Sequence, residues 1–169
     1  MARLFCYGDH VDTDRIIPGK YTKTLDRSVL KAHCFEDIDP SFSSEVSRGD
    51  IVVAGVNFGC GSSREQAAIA IKESGVQLVV AKSFARIFFR NAINVGLTVL
   101  EVPNHKIEQD SVLQYDAVRG VLKDLTYQKK YSVTALPGFL MDILESGGLV
   151  KYLKVRDGFD LNERGRSDA

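Results

Sequence analysis

The chain has 169 residues, 44% hydrophobic and 26% charged, the mix of a globular domain long enough to bury a sizeable core without disulfide or metal staples. Lys plus Arg and Asp plus Glu both number 22, so the formal charge is zero, which argues against a nucleic-acid binder, a polybasic membrane patch or an acidic tail. No apolar run approaches the roughly 18 residues of a membrane span, and Met1–Asp9 turns acidic too quickly for a secretory signal.

Arg3–Gly8 reads as a first strand, and Asp9–Arg15 as a turn. Ile16-Ile17 is expected to be a second short strand, closed by Pro18-Gly19. Leu25–Phe35 has helical spacing, Asp37–Ser44 looks like loop, and Ile51–Gly55 is a buried strand. Next comes Asn57-Phe-Gly-Cys-Gly-Ser-Ser-Arg-Glu65, a glycine-rich loop that passes straight into a helix ending at Gly75. Val76–Ala81 is a strand, Phe84–Asn94 a helix and Leu97–Val102 a strand, an alternation that predicts α/β layering. Ser111–Val118, Val121–Leu125 and Tyr131–Leu136 read as an antiparallel meander. A short helix over Phe139–Glu145 follows, bounded by Pro137 and by Gly147-Gly148. The charged stretch from Lys154 onward is expected to be loosely held. One domain over residues 1–169 is expected.

Ser62-x-x-Glu65 matches a capping box, which alone would explain both residues. Its surroundings suggest more. Gly59 and Gly61 permit close backbone approach, a helix N-terminus offers free N–H groups, and Arg64 adds a fork suited to carboxylate or phosphate. Neither a P-loop, nor G-x-G-x-x-G, nor G-x-S-x-G is present, so the residues favour a small anion such as a carboxylic acid. Asp12-Thr13-Asp14-Arg15 reads either as an Asx turn or as a charged loop facing the same site. His10, His33 and His105 show no metal-ligand spacing, so no metal site is expected. The cysteines Cys6, Cys34 and Cys60 form no C-x-x-C pair, which suggests a reducing, cytoplasmic location and no cofactor bound by this chain alone.

Gly8–Pro18, Asn57–Gln66 and Ala81-Lys-Ser-Phe-Ala-Arg-Ile-Phe-Phe-Arg-Asn91, in that order, resemble the swivel domain of the aconitase family. The resemblance spans roughly residues 3 to 153 and fits the branch in which that domain is a separate small subunit, as in isopropylmalate dehydratases and homoaconitases. It implies a three-layer β/β/α swivelling domain and a large-subunit partner carrying a [4Fe–4S] cluster, with the active site where the two meet. The implied reaction dehydrates a 2-hydroxy diacid and rehydrates it at the neighbouring carbon, an iron of the cluster acting as Lewis acid. Carried over by position, Ser62 would be the base that removes the carbon-bound proton, Ser63 and Arg64 would bind substrate carboxylate, and Asp14 would orient site residues.

The resemblance also implies that the segment after Pro18 reads the substrate's variable arm; here it includes Tyr21, Thr22, Lys23 and Thr24. Isopropylmalate enzymes tend to carry apolar residues there and homoaconitases an arginine, and this sequence departs from both. Lys23 is open to three readings: partner of a third carboxylate, a side chain snorkelling along an isopropyl group, or a solvated loop lysine. Citramalate and 2,3-dimethylmalate stay open as substrates. Of a different class, a non-catalytic anion-binding regulatory module and a purely structural subunit are the competing readings.

Overall fold

The structure is a computed structural model that describes residues 2–24, 26–134 and 136–156. Four strands, β1 (Leu4–Cys6), β2 (Ile51–Ala54), β3 (Leu78–Ala81) and β4 (Thr98–Glu101), form one parallel sheet in the order β1-β2-β3-β4. Cys6 pairs with Val53, Val53 with Val80 and Val80 with Leu100. Every residue of β2 and β3 is buried, as a sheet covered on both faces requires.

The strand period of two sends alternate side chains to opposite faces, and each face has its own core. On one side Phe5, Val52, Ala54, Val79, Ala81 and Val99 pack against the crossover helices. On the other side Leu4, Ile51, Val53, Leu78, Val80 and Leu100 meet Leu122, Leu113, Tyr115 and Tyr131. Those four residues belong to the antiparallel meander β5 (Leu113–Asp116), β6 (Val121–Asp124) and β7 (Lys129–Ser132). Meander, parallel sheet and helices make the expected β/β/α order.

The helix layer holds α1 (Thr13–Ile16), α2 (Arg27–Ala32) and α3 (Phe42–Glu45) between β1 and β2, α4 (Glu65–Glu73) between β2 and β3, and α5 (Arg86–Val95) between β3 and β4. The strand order never reverses, so crossovers of one hand put all of these on one face. After the meander the chain returns to this layer, where α6 (Gly138–Glu145) and α7 (Leu149–Arg156) pack on α5. Glycines permit that return. A Cβ on Gly148 would lie 2.7 Å from the Asn94 carbonyl oxygen, and one on Gly96 would lie 2.4 Å from the Gly147 carbonyl carbon.

Ile16-Ile17 is not a strand. Asp12 caps the one-turn helix α1, its side chain accepting from Arg15 N at 2.8 Å; Ile16 ends that helix and both isoleucines are buried beneath it. With β2 as its hydrogen-bonded neighbour, β1 has no need of a hairpin partner there. The expected loop over 37–44 contains the start of α3, anchored by the buried Phe42. The stretch from Lys154 begins as the last turn of α7, a helix held by Tyr152 and Leu153 against the core. Leu25, the expected start of the second helix, and the tail beyond 156 lie outside the described residues.

Candidate active site

At the carboxyl ends of β1, β2 and β3 the chain does not splay apart. Parallel bridges pair Asp12 with Cys60 and Phe58 with Phe84, extending the sheet one step into its loops. Gly59 N donates to Val11 O at 2.8 Å, Thr13 N to Cys60 O at 2.8 Å and Ala85 N to Phe58 O at 2.9 Å. Three loops separated by tens of residues are thereby fixed side by side above the strand ends. His10 and Asn57 both adopt left-handed backbone, with φ of 55° and 58°, and Asn57 Nδ2 lies 3.2 Å from His10 Nδ1. Non-glycine residues held in that conformation concentrate at functional sites.

Ser62 and Arg64 sit on the middle loop, and each is held by α1. The Ser62 hydroxyl lies 3.1 Å from Thr13 Oγ1, and Ser62 N donates to the same oxygen at 3.2 Å. Arg64 Nη1 makes an ion pair with Asp14 Oδ1. The arginine side chain is 26% exposed and Asp14 60%, so the pair faces outward. An Arg–carboxylate contact at one nitrogen leaves most of the guanidinium's five donors for a ligand. Gly19 backs the fork: a Cβ there would be 3.4 Å from Arg64 Nη2. Ser63 is exposed beside them, and its carbonyl accepts from Asn91 Nδ2 of α5 at 3.3 Å.

The expected capping box is absent. α4 begins at Glu65, its N-cap is Arg64, and no side chain caps it. Glu65 is therefore the first helical residue rather than the third, and Ser62 stands two residues ahead of the cap, turned to α1. The uncapped first turn leaves N–H groups and the positive dipole end beside Ser63 and Arg64.

The segment after Pro18 is tied to the same corner. Gly19–Tyr21 form one 3-10 turn, Thr22 Oγ1 donates to Gly19 O at 2.8 Å, and Gln66 of α4 donates to Thr22 O at 3.1 Å. Thr24 Oγ1 accepts from Asp26 N at 3.0 Å. Tyr21 is committed elsewhere: its ring stacks on His33 at 3.7 Å, and Lys20 pairs with Glu36 at 2.9 Å beside it. Lys23 is exposed, and none of the ion pairs among the described residues involves it. Thr13, Gly19, Gln66 and Asn91 were not singled out from sequence. Thr13 enters the sequence reading only within Asp12–Arg15, an Asx turn or a charged loop facing the site, and the other three act through contacts that spacing does not carry.

The donors of the described residues do not fit an iron–sulfur cluster. Among the described residues no three His, Cys, Asp or Glu side chains converge on a metal position. Cys34 is fully buried, and burial holds its thiol far up. Cys6 is pushed up to about 11 by burial. The Cys60 thiol is also raised, by desolvation first and by Asp12 second. Cluster ligation takes several thiolates, which these surroundings disfavour. No helix among the described residues is long and apolar enough to cross a membrane.

A parallel sheet wound in one direction with a meander on its far face and helices on the other defines an α/β domain of the swivel type. The aconitase C-terminal domain matches residues 38–105. The small subunit of 3-isopropylmalate dehydratase from Heliobacterium modesticaldum is 51% identical over 157 residues, 92% of this chain and 95% of that protein. The 2,3-dimethylmalate dehydratase small subunit of Eubacterium barkeri is also 51% identical, over 91% of this chain and 96% of its own. A crystal structure of 3-isopropylmalate dehydratase from Methanocaldococcus jannaschii superposes with a TM-score of 0.87 at 47% identity, covering 92% of this chain and 93% of that one. The chain belongs to the aconitase C-terminal domain family, among its dehydratase small subunits.

Proposed function

We propose that the chain, as a single swivel domain over residues 1–169, is the small subunit of a heteromeric hydro-lyase that interconverts 2-isopropylmalate and 3-isopropylmalate by dehydration and rehydration, a step of leucine biosynthesis. The observation that carries the reading is the placement of Ser62 and Arg64 on one loop above the strand ends, the first hydrogen-bonded to Thr13 and the second paired with Asp14. The [4Fe–4S] cluster belongs to the large subunit in this reading, which agrees with the lack of a converging ligand set among the described residues.

The chain's own part follows from its residues. Arg64, oriented by Asp14, takes a substrate carboxylate through its free guanidinium donors, with the Ser63 hydroxyl and the uncapped first turn of α4 beside it. That fixes the carbon next to the carboxylate over Ser62. The Ser62 oxygen, as alkoxide, takes the proton from that carbon and returns one to the unsaturated diacid in the hydration half. A serine hydroxyl is a weak base until ionised, so the positive field of Arg64 and the helix end works in its favour. Two features support a second reading of the substrate. The Eubacterium barkeri relative is as similar as the isopropylmalate enzymes, and Lys23 stands exposed on the segment bound to Gln66. Turnover of 2,3-dimethylmalate, or of homoaconitate with Lys23 on its third carboxylate, is the alternative.

The test is co-expression under anaerobic conditions with the cluster-bearing large chain, followed by ultraviolet absorbance of the unsaturated diacid. Isopropylmalate is expected to turn over, and Ser62→Ala to lower kcat by about 10²–10⁴-fold while the two chains still co-purify. Near-normal turnover by Ser62→Ala would overturn the role given to that serine. Turnover of dimethylmalate or homoaconitate alone would move the substrate to the second reading.

A further inference from the structure

Thr13 is 1% exposed, and its hydroxyl touches Ser62 at three atoms. It accepts from Ser62 N at 3.2 Å, donates to Ser62 O at 3.3 Å, and lies 3.1 Å from Ser62 Oγ. A threonine hydroxyl has one proton and two lone pairs, so these three contacts cannot all be filled by donation. The Ser62 N–H occupies one lone pair. While Ser62 is neutral, the Thr13 proton can rest on the Ser62 carbonyl, and the second lone pair can receive the Ser62 O–H. Once Ser62 is ionised, its oxygen has nothing to donate and becomes the strongest acceptor in reach. The Thr13 proton then belongs on Ser62 Oγ, the shorter of its two acceptor contacts.

We propose that Thr13 is a positioning residue for this reaction, which stabilises the ionised form of Ser62 by turning its one proton from the Ser62 carbonyl to the Ser62 oxygen. The inference rests on Ser62 being the base. The Ser62 proton leaves to solvent, to which the residue is exposed in this chain. In the reaction the substrate C–H bond breaks, its electron pair stays on carbon, the Ser62 O–H bond forms, and the Thr13 proton returns to the carbonyl. Burial of Thr13 keeps water from replacing it. Its backbone is fixed as well, because Thr13 N donates to Cys60 O at 2.8 Å and the cap Asp12 pairs with Cys60. The charged or titratable neighbours are Asp12, Asp14 and Arg15 on the α1 side, Cys60 and Arg64 on the loop that carries Ser62, and Glu65 at the start of α4. From α5 comes the neutral Asn91, bound to the Ser63 carbonyl. Every one of these is retained when Thr13 alone is changed.

The test uses the assembled two-chain enzyme and the pH dependence of kcat. Thr13→Val keeps the shape and loses the hydroxyl. It is expected to lower kcat about tenfold to hundredfold, the range for a hydrogen bond to a charged group, with KM little changed. The rising limb of kcat with pH should move upward by about one unit for each tenfold lost. Thr13→Ser should restore both rate and limb. Thr13→Ala, read the same way, serves if the valine variant does not assemble. A fall in kcat with the limb unmoved, a change in KM alone, or full activity in Thr13→Val would each overturn the inference. Ser62→Ala in the same series separates the two levels. If it is inactive while Thr13→Val is unshifted, Ser62 remains the base and Thr13 has no part in its ionisation. If Ser62→Ala is active, the base assignment itself falls.

Discussion

Gly59 is where the site loop meets the helix layer most closely. Its φ is +76°, and a Cβ added there would lie 2.2 Å from the Phe88 ring. Phe88 cannot retreat: it is buried and makes an edge contact with Phe58, ring centroids 5.2 Å apart. Gly59→Ala therefore combines a left-handed alanine with an overpacked aromatic cluster, and should lower stability by about 2–5 kcal/mol. Urea unfolding of the variant checks it. Gly59→Ala/Phe88→Leu should regain part of the loss, and a single variant with an unchanged midpoint would show that the loop gives way without cost. At this scale the sequence conveyed residue chemistry well and partnership poorly. The glycines, Ser62 and Arg64 stood out by type. The partner of Ser62 is Thr13, 49 residues away, so a local pattern pointed to Glu65 instead. Asp14 beside Arg64 is 50 residues distant; the residues alone left it between an Asx turn and a charged loop facing the site, and the family resemblance implied its orienting role.

Among elements, β2, β3, α4 and α5 were legible because their burial is nearly continuous or strongly periodic, and both signals are local. α1 escaped because a single capped turn has no periodicity to read. α7 escaped because the exposed Lys151 and Lys154 interrupt the short apolar pattern of Leu149, Tyr152 and Leu153. His105 looked like a stray histidine, yet it links two elements. It is buried after β4, and its Nε2 lies 2.9 Å from the carbonyl of Ala54 at the end of β2. Burial holds its pKa below the ordinary 6.5, outweighing the carbonyl's opposite effect, with Lys82 adding to the depression. The folded protein thus resists a proton that the unfolded chain accepts near 6.5. Stability from this contact is full above that pH and falls as the pH drops through it. Unfolding midpoints at pH about 7.5 and about 5.5 should show the decline in the wild type, and His105→Gln should flatten it, carboxylates titrating mostly lower. An equal decline in both proteins would mean that another group is responsible.

For the whole molecule, the decisive feature is the strand order. Doubly wound sheets bind ligands in the crevice where the order reverses. Here it runs β1-β2-β3-β4 without reversal, so Ser62, Ser63 and Asp14 stand exposed on a surface rather than in a cleft. An exposed ion pair contributes about 0–1 kcal/mol. Association must offset an estimated 4 kcal/mol or more of lost translational and rotational freedom. A fork and two hydroxyls on an open face leave a net gain of less than about 4 kcal/mol after that cost, which puts the dissociation constant of the isolated chain above about 1 mM. Calorimetry of this chain alone with 2-isopropylmalate should accordingly give no binding isotherm, while the two-chain complex, with the face covered, should give one. Micromolar binding by the isolated chain would favour the anion-binding module over the hydro-lyase subunit, because the site would then be complete without a partner. A heatless titration in the complex as well, with its cluster intact, would leave the subunit reading standing and direct the search to another substituted malate, with Lys23 the first residue to vary.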